Sequence, residues 1–138
     1  MELGLGIHGE PGVKRTQLQT ADELTETLLT EILKHGRFGD GKRAAVMVNN
    51  LGATTEMELA IVARNATPFL ESKGITVELI YAGTFLSSLD MAGISISVLG
   101  VNDEWLRWLN AATISLFRGL GSRARFALDY IHRHRFSG

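Results

Sequence analysis

Two Thr-x-x-Glu boxes, Thr20 with Glu23 and Thr55 with Glu58, each stand before an apolar run at helical spacing. In such a box the threonine hydroxyl accepts the amide three residues on, while the glutamate reaches back to the threonine amide, so the helix start is fixed locally. Behind Thr20, residues Leu24, Leu28, Leu29, Ile32 and Leu33 define a helix over 21–35 that Gly36 and Gly39 stop. Behind Thr55, the run from Met57 to Ala63 opens a second helix that heads for Lys73 and ends at Gly74. Pro68 falls in its interior, where the absent amide and the ring predict a kink or a break.

The segments around these helices read as strands. Asp40 and Gly41 turn the chain into Arg43 to Val48, a continuous apolar run of the buried-strand kind. Ile75 to Tyr81 and Ile94 to Leu99 alternate apolar with polar residues, and Leu3 to Ile7 alternates apolar residues with glycine as a short strand. Asn102 or Asp103 can cap a short last helix, whose Trp105 and Trp108 are expected to share a face packed on the sheet. Two long helices and the short last one, among about four strands, make an α/β, two-layer sandwich with a mixed β-sheet and helices mainly on one face.

At 138 residues, with 45% hydrophobic and 21% charged residues, the chain suits one globular domain with a real core. Its lack of cysteine excludes disulfides, thiol nucleophiles and thiolate metal sites. No apolar run approaches the roughly eighteen residues of a membrane span, and the first residues lack a basic-then-apolar leader pattern, so a cytoplasmic location is expected. Charge is uneven. Residues 1–110 carry nine Lys/Arg against fourteen Asp/Glu, whereas residues 111–138 carry five arginines and one aspartate. This basic tail mixes Arg118, Arg123, Arg125, Arg133 and Arg135 with Phe117, Phe126, Tyr130 and Phe136. No recognised motif accompanies the mixture, and His132 with His134 is poor evidence for a metal site, so neither nucleic acid nor a membrane is expected as partner.

Chemistry concentrates at His8, set between glycines in Gly6-Ile-His-Gly-Glu-Pro-Gly12. Glycine tolerates positive φ and proline fixes φ, so a tight loop is enforced here. Glu10, two residues on, is a candidate to orient the His8 ring, with capping of the Gly-Pro turn or simple solvation as the quieter alternatives. The loop Asn49 to Thr55 joins a strand to a capped helix, where phosphates often bind. It lacks the Walker lysine, and a structural turn docked on the sheet is the better reading. Asp90 reads as a turn residue that satisfies backbone donors.

Three segments carry a resemblance. Glu2-Leu-Gly-Leu-Gly-Ile-His-Gly-Glu-Pro-Gly-Val13, Val48-Asn-Asn-Leu-Gly-Ala-Thr54 and Gly83-Thr-Phe-Leu-Ser-Ser-Leu-Asp-Met-Ala-Gly93 resemble, in order and spacing, the K-domain motifs of dihydroxyacetone (glycerone) kinases. The resemblance implies that residues 1–110 form the C-terminal subdomain of a K domain truncated on its N-terminal side, and that residues 111–138 are a divergent basic tail. It implies that His8 is the catalytic, substrate-binding histidine whose Nε2 adds to the ketone carbon of dihydroxyacetone as a hemiaminal. A neutral imidazole can attack a carbonyl carbon, whereas glycerol offers none, so covalent capture selects small ketones and aldehydes.

The resemblance also sets expectations for what acts with this chain. The family's glycine-rich substrate loop, the lysine and aspartate partners of bound ketone and a second histidine have no counterpart in these residues. No cofactor or metal is expected on this chain; ATP or a phosphocarrier, with Mg, would belong to a separate L domain or subunit. The implied partners are dihydroxyacetone or glyceraldehyde, the N-terminal half of a K domain, the L domain or subunit, and a second copy in a homodimer. The implied role is phosphorylation of dihydroxyacetone to its phosphate in glycerol metabolism, with the isolated chain inactive. The alternative is a non-catalytic ligand-sensing or partner-binding module of the same ancestry.

Overall fold

The computed structural model describes residues 1–6, 8, 10–38, 41–88 and 91–111. Its elements are β1 (Glu2–Leu3), β2 (Lys14–Arg15), α1 (Ala21–His35), β3 (Arg43–Asn50), α2 (Glu56–Ser72), β4 (Thr76–Gly83), β5 (Ile94–Gly100) and α3 (Asp103–Leu109). Both capping boxes close as their sequences require, with the hydroxyls of Thr20 and Thr55 accepting from the Glu23 and Glu58 amides and both glutamates reaching back.

The main sheet has the order β4-β3-β5, with β4 parallel and β5 antiparallel to the central strand. Because side chains alternate along a strand, Ala44, Val46 and Val48 point to one face, opposite Val77, Ile80 and Ala82 of β4 and Val98 and Ile96 of β5. There they meet Leu29 of α1 and Leu59, Val62, Ala63, Ala66 and Leu70 of α2 in one core cluster. Leu29, Leu59 and Leu70 are each at most 1% exposed. Burying a side chain of this size stabilises the fold by about 1.5–3 kcal/mol. The opposite face, with Ala45, Met47, Leu79, Tyr81 and Leu99, carries no helix among the described residues. The mixed two-layer architecture is thus the expected one.

A register shift between Ala44 and Ala45 leaves Glu78 as the extra residue of β4. The bulge aims Glu78 at Arg43, whose Nε donates to its carboxylate at 2.6 Å while Nη1 donates to Asp103 of α3 at 2.6 Å. These two partners, Asp103 first, hold the Arg43 guanidinium even more firmly protonated than usual.

Four expectations change. The N-terminal strand does not run over residues 3–7: Gly4 takes φ +72° and ends it, and the strand pairs with Lys14–Arg15 in a separate antiparallel ribbon rather than joining the main sheet. β3 continues two residues beyond Val48, through Asn49 and Asn50. Pro68 does not break α2, which runs on to Ser72. Pro68 and Arg64, one turn earlier, are both exposed, so the turn that lacks its hydrogen bond lies on the solvent side of the helix. α2 then ends in a Schellman turn, with Gly74 at φ +75° and Ile75 N–H donating back to the Leu70 carbonyl at 3.1 Å. Finally, α3 does not pack its tryptophans. It buries none of its residues, and Trp108 is 63% exposed, because α3 lies beyond the end of β5 and is held through Asn102, its N-cap, and the Asp103–Arg43 pair.

Candidate functional site

His8 lies near the tip of the β1–β2 ribbon, exposed to solvent. The ribbon's base is tied by hydrogen bonds that close on themselves: Val13 N–H donates to the Leu3 carbonyl at 2.8 Å and Thr16 N–H to the Met1 carbonyl at 3.0 Å. Glu2 completes the base, accepting the Gly12 amide at 2.8 Å on one carboxylate oxygen and meeting Arg15 Nε at 3.3 Å with the other. A Cβ on Gly12 would stand 2.7 Å from the Leu3 carbonyl oxygen, so the hairpin closes this tightly only over glycine.

Nearer the tip, Gly6 N–H donates to the Glu10 carbonyl at 3.1 Å. The Glu10 carboxylate turns back into the same loop, and its Oε2 accepts the His8 backbone amide at 3.1 Å. The carboxylate therefore engages the His8 main chain, while the histidine side chain belongs to an exposed residue. Sequence reasoning passed over Glu2, Arg15 and the Lys14–Arg15 strand. Two consecutive basic residues carry no apolar alternation, and the signal that could have found them is the glycine-bearing turn sequence flanked by Leu3 and Val13.

The second sequence candidate, the loop from Leu51 to Thr55, has its amides committed. Leu51 N–H donates to the Gly93 carbonyl and Ala53 N–H to Met91, while Gly52 and Thr54 both donate to Asn50 Oδ1 and Thr55 to Glu58. Glu56 and Glu58 add negative charge in the first turn. The loop amides from Leu51 to Thr55 are therefore already taken, and the two glutamates oppose the field a phosphate would need there. The loop is a structural turn docked on the segment 91–93. Asn49 is equally committed, holding Phe85 and Leu86 of the following loop and Ser95 of β5.

Among the described residues no group of three His, Asp or Glu side chains is arranged to hold a metal ion. His35 sits in the last turn of α1, suited to the carbonyl end of that helix. Asp90, His132, His134 and the tail arginines lie outside the described residues. No helix among the described residues is long and apolar enough to cross a membrane.

Comparison with known proteins places this geometry in context. The model of the Dak1 domain matches residues 1–116. Human triokinase/FMN cyclase is 40% identical over 118 residues, covering 82% of this chain and 20% of its own length. A Listeria innocua protein named as the dihydroxyacetone-binding subunit of a PTS-dependent dihydroxyacetone kinase is 36% identical over 110 residues, covering 80% of this chain and 33% of its own. Among solved structures, the dihydroxyacetone kinase of C. freundii in complex with AMP-PNP and Mg2+ superposes with a TM-score of 0.69 at 28% identity, over 80% of this chain and 20% of that one. A dihydroxyacetone kinase operon co-activator superposes with a TM-score of 0.71 at 31% identity, over 88% of this chain and 37% of that one. The chain spans about a fifth of the length of curated relatives such as the human enzyme.

Proposed function

The chain belongs to the Dak1 domain family, and from that premise we propose that it carries the carbonyl anchor of a dihydroxyacetone kinase, with His8 as the residue that captures substrate. The observation that carries this reading is the exposure of His8 near the tip of a loop whose own carboxylates and glycines hold its backbone. The Listeria relative, named as a dihydroxyacetone-binding subunit, supports the ligand class.

In the proposed step the imidazole Nε2 lone pair adds to the ketone carbon and the carbonyl π pair moves to oxygen, which takes up a proton as the ring releases the one on Nδ1. The hemiaminal so formed contains every atom of histidine and ketone. Glyceraldehyde would react in the same way through its aldehyde carbon, and glycerol would not. Capture holds the substrate and transfers no phosphoryl group. Further Dak1-domain residues would complete the ketone site, and ATP or a phosphocarrier, with Mg on a separate L domain or subunit, would supply phosphate in the cytoplasm. The isolated chain is then inactive as a kinase, because phosphoryl transfer depends on positioning and charge stabilisation supplied elsewhere.

Intact mass measurement under gentle ionisation, with a crystal soak to catch a reversible adduct, tests the anchor. The expected result is one dihydroxyacetone on the native chain and none on His8→Ala or with glycerol. Absence of adduct in both measurements would remove the assignment. The likeness to an operon co-activator favours a second reading, a ligand-sensing module without turnover. Adduct formation together with no phosphorylation in the presence of a complete set of family partners would select it.

A further inference from the structure

We infer that Glu10 and Gly6 form a lock that positions His8, acting on its main chain; as a role in substrate capture this rests on the anchor reading above. Glu10 makes two contacts within the loop, its carbonyl accepting from Gly6 N–H and its carboxylate Oε2 accepting from His8 N–H, both at 3.1 Å. The carboxylate fills the space beside Gly6: a Cβ there would collide with Oε2 and lie 2.6 Å from Cδ and 3.0 Å from the Glu10 Cβ. Only a glycine at position 6 leaves the Glu10 carboxylate where it stands; any side chain there would displace it. The φ of Gly6 is not in the left-handed region, so backbone freedom is not the reason for glycine here.

A carboxylate bound to an amide is a charge-assisted acceptor, stronger than a neutral one. Fixing the His8 amide fixes the peptide plane from which the His8 side chain departs, and an imidazole that must meet a carbonyl carbon along one approach gains from that restriction. The lock works without touching the ring. It assigns Glu10 as a positioning residue, with Gly6 as the vacancy that admits it.

The two residues act through one bond, and this gives the lock a distinctive test. Any side chain at Gly6 must push the carboxylate aside, so Gly6→Ala and Glu10→Ala should break the same interaction and their effects should not add. The experiment is a double-mutant cycle on the full chain, read in two ways. The first is the amide resonance and hydrogen exchange of His8 without ligand; the second is the rate of adduct formation with dihydroxyacetone.

Glu10→Ala is expected to shift the His8 amide and speed its exchange about tenfold. Gly6→Ala should match it, the double variant should be no worse than either, and Glu10→Gln, which keeps an acceptor oxygen, should restore part of the loss. Adduct formation should slow in the same order while its saturation with ligand changes less. An unmoved His8 amide in Glu10→Ala, or additive effects in the cycle, would overturn the lock. Normal capture rates in Glu10→Ala despite a moved amide would overturn the positioning role alone. Absence of adduct on the native chain would sink the anchor reading and the positioning role together, with the amide data still deciding whether the lock exists.

Discussion

Asn49 holds Leu86 by both halves of its amide: Oδ1 accepts the Leu86 N–H at 3.0 Å and Nδ2 donates to the Leu86 carbonyl at 2.8 Å. The same Oδ1 accepts Phe85 N–H at 2.8 Å, and Nδ2 also reaches Ser95 Oγ at 3.2 Å. A side chain 2% exposed at the end of β3 thus supplies the pairing that β4 gives up when it leaves the sheet at Gly83. Asn49→Ala strips these backbone groups of their partner, at about 1–3 kcal/mol for each one left dry. A loss of at least about 2 kcal/mol in denaturant unfolding is expected. Faster hydrogen exchange at Phe85 and Leu86 should accompany it, and unchanged exchange there would contradict this role.

Pro68 offers a gain. An internal proline costs a helix about 3 kcal/mol relative to alanine, partly offset by the restriction it places on the unfolded chain, worth about 0.4–1 kcal/mol. Since Pro68 is exposed and α2 already runs past it, Pro68→Ala should raise stability by about 2 kcal/mol, seen as a higher denaturation midpoint with an unchanged slope.

The capping boxes make stability depend on acid. The carboxyls of Glu23 and Glu58 are held below the usual glutamate range, first by the backbone amides of Thr20 and Thr55 and then by their hydroxyls. A carboxyl whose folded value is lowered contributes fully above its unfolded value, about 4.3, and loses that contribution as pH falls through the folded value. Glu23→Gln with Glu58→Gln should therefore be less stable than the native chain at neutral pH and converge on it in acid. Parallel stability curves across that range would refute the assignment. Thr20→Ala and Thr55→Ala should each cost about 1 kcal/mol, testable by thermal unfolding.

Local chemistry explains what could be read from the chain. Thr20 and Glu23 are three residues apart, so their helix start needs no knowledge of the fold, and α1 spans the residues its spacing predicts. The apolar runs of β3, β4 and β5 were legible for the same reason. Lys14 and Arg15 were not, since they form a strand through the register Glu2↔Arg15 and Leu3↔Lys14, which is a relation between distant residues. Trp105 and Trp108 share a helical face in sequence, but where that face points depends on α3 standing past the edge of the sheet. His8 and Glu10 could be picked out as a pair. That the carboxylate binds a main-chain amide required the hairpin to be closed.

The order β4-β3-β5 also has a consequence for synthesis. The middle strand leaves the ribosome before either of its neighbours, and the antiparallel one is completed only when Gly100 emerges. Until then Arg43–Asn50 presents an unpaired strand edge, first on both sides and later on one, while α2 is already able to cover its apolar face. A nascent chain halted before Ile94 would hold a capped helical layer over a sheet that has no second neighbour for its centre. The last strand is thus the point in synthesis at which the central strand gains its second neighbour, leaving β4 and β5 as the edges of the sheet.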